Sequence, residues 1–568
     1  MLRRNTGLRA AVLFVAMITL ILGILTGCYS EEKSALPPEL LALLPDAPLV
    51  LAVKSSLLEA IDATSGPQAV IPWENEQTGE SGLLQMMEEI VPGMSELIDR
   101  DLPLAVTVGM PAVITNQGPP ITVIIPLAAG QEVNEAFLEG TEFATVLRKG
   151  NYAALSTEPA YTPADSIPEL AVALPAAHTV VRFDLAGAID NYRGMAEMGL
   201  MAMTMAAMDT TDAAGGSSMS PEEAQAMANV ARSLMDSADR LELAVHLAGQ
   251  EVALDLGFRV KEGSPLQPGP QPDFDMALEL TRLLPPGEDF LQLNALDYSR
   301  QMAIFRDFYT LSLSNVDESL PGLGEGYRQW YEQYLDSMDL FYQPNASNVA
   351  FTDDGIQLHT VMKCDDAADA QARVEALMLG YSELELGVSM IRGEPVDLAG
   401  VQVQSFTVDL DLERFQETMG DGPQPPGMPG MQAQQLTAFM RKVVPGFYLC
   451  NVGNHLIYSA DPNLDNLTAM IRAAEGSGGS VDPRARDAAK AAGPGCQQVT
   501  AGDLRAIVTW AIELAEEFEM TDEDIVWPEG APVPFTQSTA IDGVDTVVRM
   551  ETNAGGMQAF IKQLMEMD

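Results

Sequence analysis

A short motif returns along this chain at wide intervals, and it constrains the fold more than any other feature. Glu39-Leu40-x-x-x-Leu44-Pro45 recurs as Glu169-Leu170-x-x-x-Leu174-Pro175 and as Glu279-Leu280-x-x-x-Leu284-Pro285, with a looser form at Met440-x-x-x-Val444-Pro445. Leucines four apart share one face of a helical turn, and proline disfavours helix in the residue before it, so each copy reads as the end of a helix. Strands are predicted directly afterwards at 49–53, 179–183, 289–293 and 447–452. Short helices follow the first two strands, at 57–62 and 185–190.

Each unit then carries two alternating runs around a turn: 104–108 with 121–125, 241–247 with 252–260, 348–351 with 356–362, and 537–541 with 544–550. Asp354-Gly355 and Asp542-Gly543 stand between the runs of the last two pairs, and Asp-Gly flanked by alternating apolar residues signals a hairpin. Amphipathic helices close units one, three and four, at 132–138, 367–379 and 557–565, while the proline-rich run 265–272 takes that place in unit two. The pattern means α+β, as repeated modules of antiparallel sheet covered by helices, each sheet open on its other face. The modules are expected at 37–160, 165–262, 274–415 and 436–568. Gly, Pro and Ser cluster at 209–221, 263–273, 420–430 and 475–495, and the last of these is expected to be an exposed insertion within module four.

At 568 residues the chain is too long for one hydrophobic core, and 47% apolar with 20% charged residues marks it as globular. The charge is the unusual quantity. Formal net charge is −50, and residues 1–27 hold three arginines and no acid, so without them the chain carries −53. A field of that sign repels nucleic acid and anionic lipid, so neither is expected as a direct partner of the globular part. The acids are spread along the chain, which reads as a solvated acidic surface.

Arg3, Arg4 and Arg9 precede an apolar run from Ala10 to Leu25, which ends in Leu25-Thr26-Gly27-Cys28. A basic start and an apolar run short of a full span across about 30 Å of hydrocarbon read as an export signal. The ending resembles the lipobox of bacterial lipoproteins. That resemblance implies a signal peptide over 1–27, lipid attachment at Cys28, and a polar tether over 28–36. Tyr29 stands where an aspartate would mark retention at the inner membrane, which implies the outer membrane if the host has two. The Pro-strand-helix opening of the mature part resembles that of uncharacterised secreted or periplasmic bacterial families of unknown function, and this implies no activity. Cys364, Cys450 and Cys496 remain, and export permits one disulfide among three pairings.

Motifs of chemistry are scarce. The sequence has no G-x-S-x-G, no H-E-x-x-H and no G-x-x-x-x-G-K. Ser30-x-x-Lys33 lies in the tether and reads as chance. His178, His246, His359 and His455 are scattered and read as structural imidazoles rather than metal ligands. Asp409 and Asp411 alternate with apolar residues, as on the solvent face of a strand. Met195, Met198, Met201, Met205 and Met208, with Met203 beside them, form a helical stripe that reads as core or as a partner-facing helix; soft thioether binding of Cu(I) is the other reading. Tyr327, Trp330, Tyr331, Tyr334, Met338 and Phe341 form an aromatic face, either core or a platform for a glycan or a protein.

No catalytic, metal or cofactor residue is therefore assigned, and Cys28 is the one site residue. The expectation is a lipid-anchored envelope lipoprotein that binds or scaffolds, is not an enzyme, reaches the membrane through its lipid, and meets an envelope protein or glycan. The alternatives are an envelope hydrolase whose site is assembled only in three dimensions, or a solute- or lipid-binding carrier.

Overall fold

Strand pairing decides the architecture. The computed structural model describes residues 37–45, 49–54, 97–99, 102–109, 119–133, 138, 141, 143–164, 179–209, 221–248, 251–285, 289–314, 324–352, 355–384, 387–411, 414, 442, 446–517, 532–553 and 556. The export signal, the tether with Cys28, Ser30 and Lys33, the helix at 57–62, the second motif copy, His178, the loose copy apart from Lys442, and the helix at 557–565 lie outside the described residues. The described residues hold eleven α-helices and nineteen strands, and their contacts divide them into two units.

The first unit takes its described residues from 1–195, 238–260 and 547–568. A short helix, α1 (Pro38–Leu41), opens with proline in its first turn, where the missing N–H costs nothing. The strands are β1 (Leu49–Lys54), β2 (Pro103–Val108), β3 (Ile121–Pro126), β4 (Thr145–Lys149), β5 (Tyr152–Ser156), β6 (Thr179–Asp184), β7 (Ala238–Ala248) and β8 (Glu251–Val260), and α2 (Leu185–Asp209), which follows β6, belongs to this unit as far as Met195 and to the second from Ala196. They pair antiparallel in the order β4-β5-β3-β2-β1-β6-β7-β8. Successive strand residues point to opposite faces. Leu104, Val123, Ile125 and Leu155 belong to one buried cluster, while their neighbours Ala105, Ile124 and Ala154 join Leu40, Leu43 and Leu44 in another. The sheet is thus buried on both faces, where the sequence pattern implied one open face.

The second unit takes its described residues from 196–237 and 261–546. Its helices are α3 (Pro221–Ser237), α4 (Phe274–Leu280), α5 (Ser299–Ser314), α6 (Gly324–Asp336), α7 (Met338–Phe341), α8 (Ala367–Ser382), α9 (Leu464–Arg472), α10 (Pro483–Ala492) and α11 (Leu504–Glu517). Aspartate or asparagine caps several of them: Asp273, Asp366, Asn463 and Asp482 accept backbone N–H groups at the starts of α4, α8, α9 and α10. The strands are β9 (Phe290–Asn294), β10 (Asn345–Thr352), β11 (Gly355–Lys363), β12 (Val388–Arg392), β13 (Val396–Leu398), β14 (Val401–Leu410), β15 (Phe447–Val452), β16 (His455–Ser459), β17 (Cys496–Asp503) and β18 (Pro534–Asp542). Their order is β12-β14-β15-β16-β11-β10-β9-β17-β18, with β13 on the other end of β14. Here too the faces differ: Cys450 and Ile457 pack with α4, α9 and α10, and their neighbours Leu449 and Leu456 pack with Ala367 and Ala370 of α8. Within 475–495, expected as an exposed insertion, α10 buries Ala485 and Ala488 in the first of these clusters. Most of β19 (Asp545–Asn553) belongs to the first unit, where it pairs with β8.

The registers reveal a duplication. Val50 on β1 faces Thr107 and Arg182, Thr107 faces Thr122, and Thr122 faces Ser156. Leu291 on β9 faces Asn348 and Ala501, Asn348 faces His359, and His359 faces Ser459. The order β4-β5-β3-β2-β1-β6-β7 is therefore repeated as β15-β16-β11-β10-β9-β17-β18. Both outer hairpins turn on a glycine at φ 59°, Gly150 and Gly453, and both continue Gly-Asn-x-x-x-x-Ser-x-acid-Pro, through Glu158-Pro159 and Asp461-Pro462. The four expected modules consequently share sheets in pairs, β1 with β6 and β9 with β17. The fourth opening strand is β17, whereas 447–452, read as that opener, is the outer-hairpin strand equivalent to β4.

Candidate functional site

The duplication places one polar cluster at matching positions in the two units. In the first unit Thr122 donates to Ser156 at 2.9 Å, and the same Ser156 hydroxyl accepts from the Glu158 N–H at 3.2 Å. In the second unit His359 replaces the threonine, and a longer chain of bonds results. Ser459 Oγ lies 3.0 Å from His359 Nδ1, and Asp461 Oδ2 lies 3.5 Å from Nε2. Asp461 also accepts from the Asn463 N–H at 2.7 Å and from Asn466 Nδ2 at 2.8 Å, which ties the end of β16 to the start of α9. The adjoining Asn348 donates to the Pro285 carbonyl at 2.9 Å.

Ser, His and Asp are the partners of a nucleophilic triad, so burial decides what they do here. His359 is 2% exposed, and Ser459 and Asp461 are fully buried. Burial lowers the His359 pKa below the ordinary histidine value, and this outweighs the opposing pull of Asp461. A neutral ring directs Nε2–H at Asp461 and accepts the Ser459 hydroxyl at Nδ1, so each member has its partner inside the protein. The cluster acts as a lock between strand and helix. His455 is likewise pushed down by burial, reinforced by Lys363 and opposed by a backbone bond with Val452.

The first unit carries a second histidine pair. His246 Nε2 lies 2.7 Å from Asp255 Oδ2, across the β7–β8 pairing, and Arg549 Nε of β19 lies 3.2 Å from Asp255 Oδ1. Arg240 and Glu242 form an ion pair at 2.9 Å on the same strand, β7, and both are buried. Buried charges of this kind persist only when paired.

Three further sequence features are placed. Asp409 and Asp411 are exposed, with Asp409 on β14 and Asp411 just past its end. The aromatic face of α6 is half-buried and packs ring on ring: Trp330 stacks on Tyr334 at 5.9 Å and meets Tyr381 edge-on at 5.4 Å, while its Nε1–H donates to the Leu377 carbonyl at 2.8 Å. Phe341 extends the row from Tyr334 at 6.0 Å and is exposed. Four of the methionines stand outside the core. Met195, Met198, Met201 and Met205 are exposed, Met203 is half-buried, and the Met208 side chain lies outside the described residues.

Cys364, Cys450 and Cys496 are free and buried. Burial pushes the Cys450 thiol up to about 12 and those of Cys364 and Cys496 up to about 11. Because the thiolate is the nucleophile, all three should resist iodoacetamide in the native protein at pH 8 and react once urea unfolds it. Labelling of any of them under native conditions, read by peptide mass, contradicts this burial.

Among the described residues, no group of three or more His, Cys, Asp or Glu side chains converges to hold a metal ion, and no helix is long and apolar enough to cross a membrane. No protein-family model, curated protein or solved structure matches the chain. The sequence did not announce the His359 cluster, whose members lie 100 residues apart in Ser459 and His359. The recurring Gly-Asn-x-x-x-x-Ser-x-acid-Pro string is the signal that could have found it.

Proposed function

We propose that this is an exported, lipid-anchored protein of a bacterial envelope that works by binding or scaffolding. The observation that carries the reading is the N-terminal stretch, in which an apolar run behind three arginines stops at Leu25-Thr26-Gly27-Cys28. Acyl chains on Cys28 supply the membrane affinity, because a mature chain of net charge −53 (−50 less the three arginines of residues 1–27) is repelled by anionic headgroups. Exposed aromatic and methionine side chains in the second unit support binding as the mode of action, with an envelope protein or a glycan as partner. Tyr29 after the lipid-bearing cysteine supports the outer membrane in a host that has two. Labelled palmitate followed by fractionation tests the reading. The parent protein takes up label and sediments with membranes, and Cys28→Ala loses both or accumulates as precursor. A parent that takes up no label, or an alanine variant that is cleaved and still fractionates with membrane, overturns it.

A further inference from the structure

We propose that Met198, Met201 and Met205 of α2 form a three-thioether site for a soft monovalent cation, Cu(I) or Ag(I). This goes beyond the anchored-binding reading and does not depend on it. The first observation is exposure: the side chains of Met198, Met201 and Met205 are 64%, 61% and 59% exposed. At 3.6 residues per turn, positions i, i+3 and i+7 fall within an arc of about 60° and a rise of about 10.5 Å, with Met205 between the other two around the axis and Met201 between them along it. The three side chains therefore share one outward face, and the rotatable bonds of methionine let its sulfur turn toward a shared ion.

The second observation is what surrounds them. Gly199 and Ala202, also exposed, complete the outward face, and the ionised side chain in this stretch, Glu197, pairs instead with Arg232 on α3 at 3.0 Å. Leu200, Met203 and Thr204 are half-buried. The helix therefore inverts the usual arrangement, in which charge points to water and apolar residues point inward. The third observation is the residue type. Of the fourteen positions from 195 to 208, those at 195, 198, 201, 203, 205 and 208 are methionine, in a chain with 31 methionines in 568 residues. Leucine or phenylalanine would serve an apolar contact equally well. What the outward row has in common is sulfur.

A thioether is neutral and soft, so it selects Cu(I) or Ag(I) over Zn²⁺, Ca²⁺ and Mg²⁺. It need not lose a proton to bind, so affinity should not fall on acidification as it does at histidine, thiolate or carboxylate sites. The negative field of the chain concentrates cations around it.

Ag(I) is the probe, because it needs no reductant. The purified full-length protein is titrated at pH 5 and at pH 7.5, beside the variant Met198→Leu/Met201→Leu/Met205→Leu, with circular dichroism confirming that both fold alike. Leucine keeps the apolar surface and removes only the sulfur, and the thiols of the two proteins are identical. The expected result is that the triple variant takes up about one Ag(I) fewer per chain at both pH values, while Met203→Leu binds as the parent does. A triple variant that binds Ag(I) as the parent does overturns the proposal and leaves the row as an apolar docking face. A difference present at pH 7.5 and lost at pH 5 also overturns it, because thioethers do not titrate there.

Discussion

Asp461→Ala should lower the stability of the second unit by about 2 to 5 kcal/mol, because it takes the acceptor away from two hydrogen bonds and from the facing His359 ring. The carboxylate is fully buried and serves the Asn463 N–H, the Asn466 amide and the His359 ring. Alanine removes the acceptor of both hydrogen bonds and leaves the buried His359 Nε2 with no facing carboxylate, and a donor that loses its partner away from water carries a desolvation penalty. Ser459→Ala leaves one buried acceptor, His359 Nδ1, without its partner and should cost less, about 1 to 3 kcal/mol. Urea midpoints of the two variants decide the matter. If Asp461→Ala is no more damaging than Ser459→Ala, the cluster is not the lock between β16 and α9 described above.

The same cluster sets a pH dependence. Burial holds the folded-state pKa of both His359 and His455 below the histidine value of the unfolded chain, about 6.5. The unfolded chain therefore binds protons first. The stability that the neutral rings contribute is complete above pH 6.5 and is lost as pH falls from there toward their lowered folded values. His359→Gln cannot take up that proton, so its urea midpoint should change less between pH 7 and pH 5.5 than the parent's. An equal change in both proteins would show that His359 does not contribute to the acid sensitivity.

Two motif copies were legible because their chemistry is local. Leu40 and Leu44, and Leu280 and Leu284, sit four apart before proline, and a strand follows in both places, β1 and β9. The hairpins were legible because alternation on either side of a turn needs no distant information. β17 was not legible. Cys496-Gln497-Gln498-Val499-Thr500-Ala501-Gly502-Asp503 has little apolar alternation, yet it lies between β9 and β18, and Gly502 runs so close to Phe290 that a Cβ there would collide with the ring. Local pattern scores a strand by its own side chains, whereas this one is held by its neighbours. Coverage of both faces was hidden for a related reason: Leu449-Cys450 and Leu456-Ile457 give buried neighbours in sequence, and runs of four to six residues are too short to reveal a second helical layer. The His359 cluster depends on register between strands that lie far apart in the chain, and register is a tertiary quantity.

The duplication yields the last prediction, a pair of substitutions at one topological position. Leu293 on β9 faces Ala346 and Val499, and Ala52 on β1 faces Ala105 and Val180, so the two residues are equivalents in their sheets. Both are buried, Leu293 completely. The units fill the same space from opposite sides. In the first, Leu40, Leu43 and Leu44 crowd over Ala52 and Ala105, while in the second Leu293 rises from the strand in a cluster where α4 contributes Ala277. Leu293→Ala should therefore open a cavity and cost about 2 to 5 kcal/mol. Ala52→Leu should overpack the first unit and cost about 1 to 3 kcal/mol, although it makes the chain more apolar. A transfer argument alone predicts loss in one case and gain in the other, so measured destabilisation of both variants identifies packing as the deciding effect. If Ala52→Leu raises the urea midpoint, the alanines of β1 and β2 do not lie under a filled layer of leucines, and the volume exchange between the two copies is refuted.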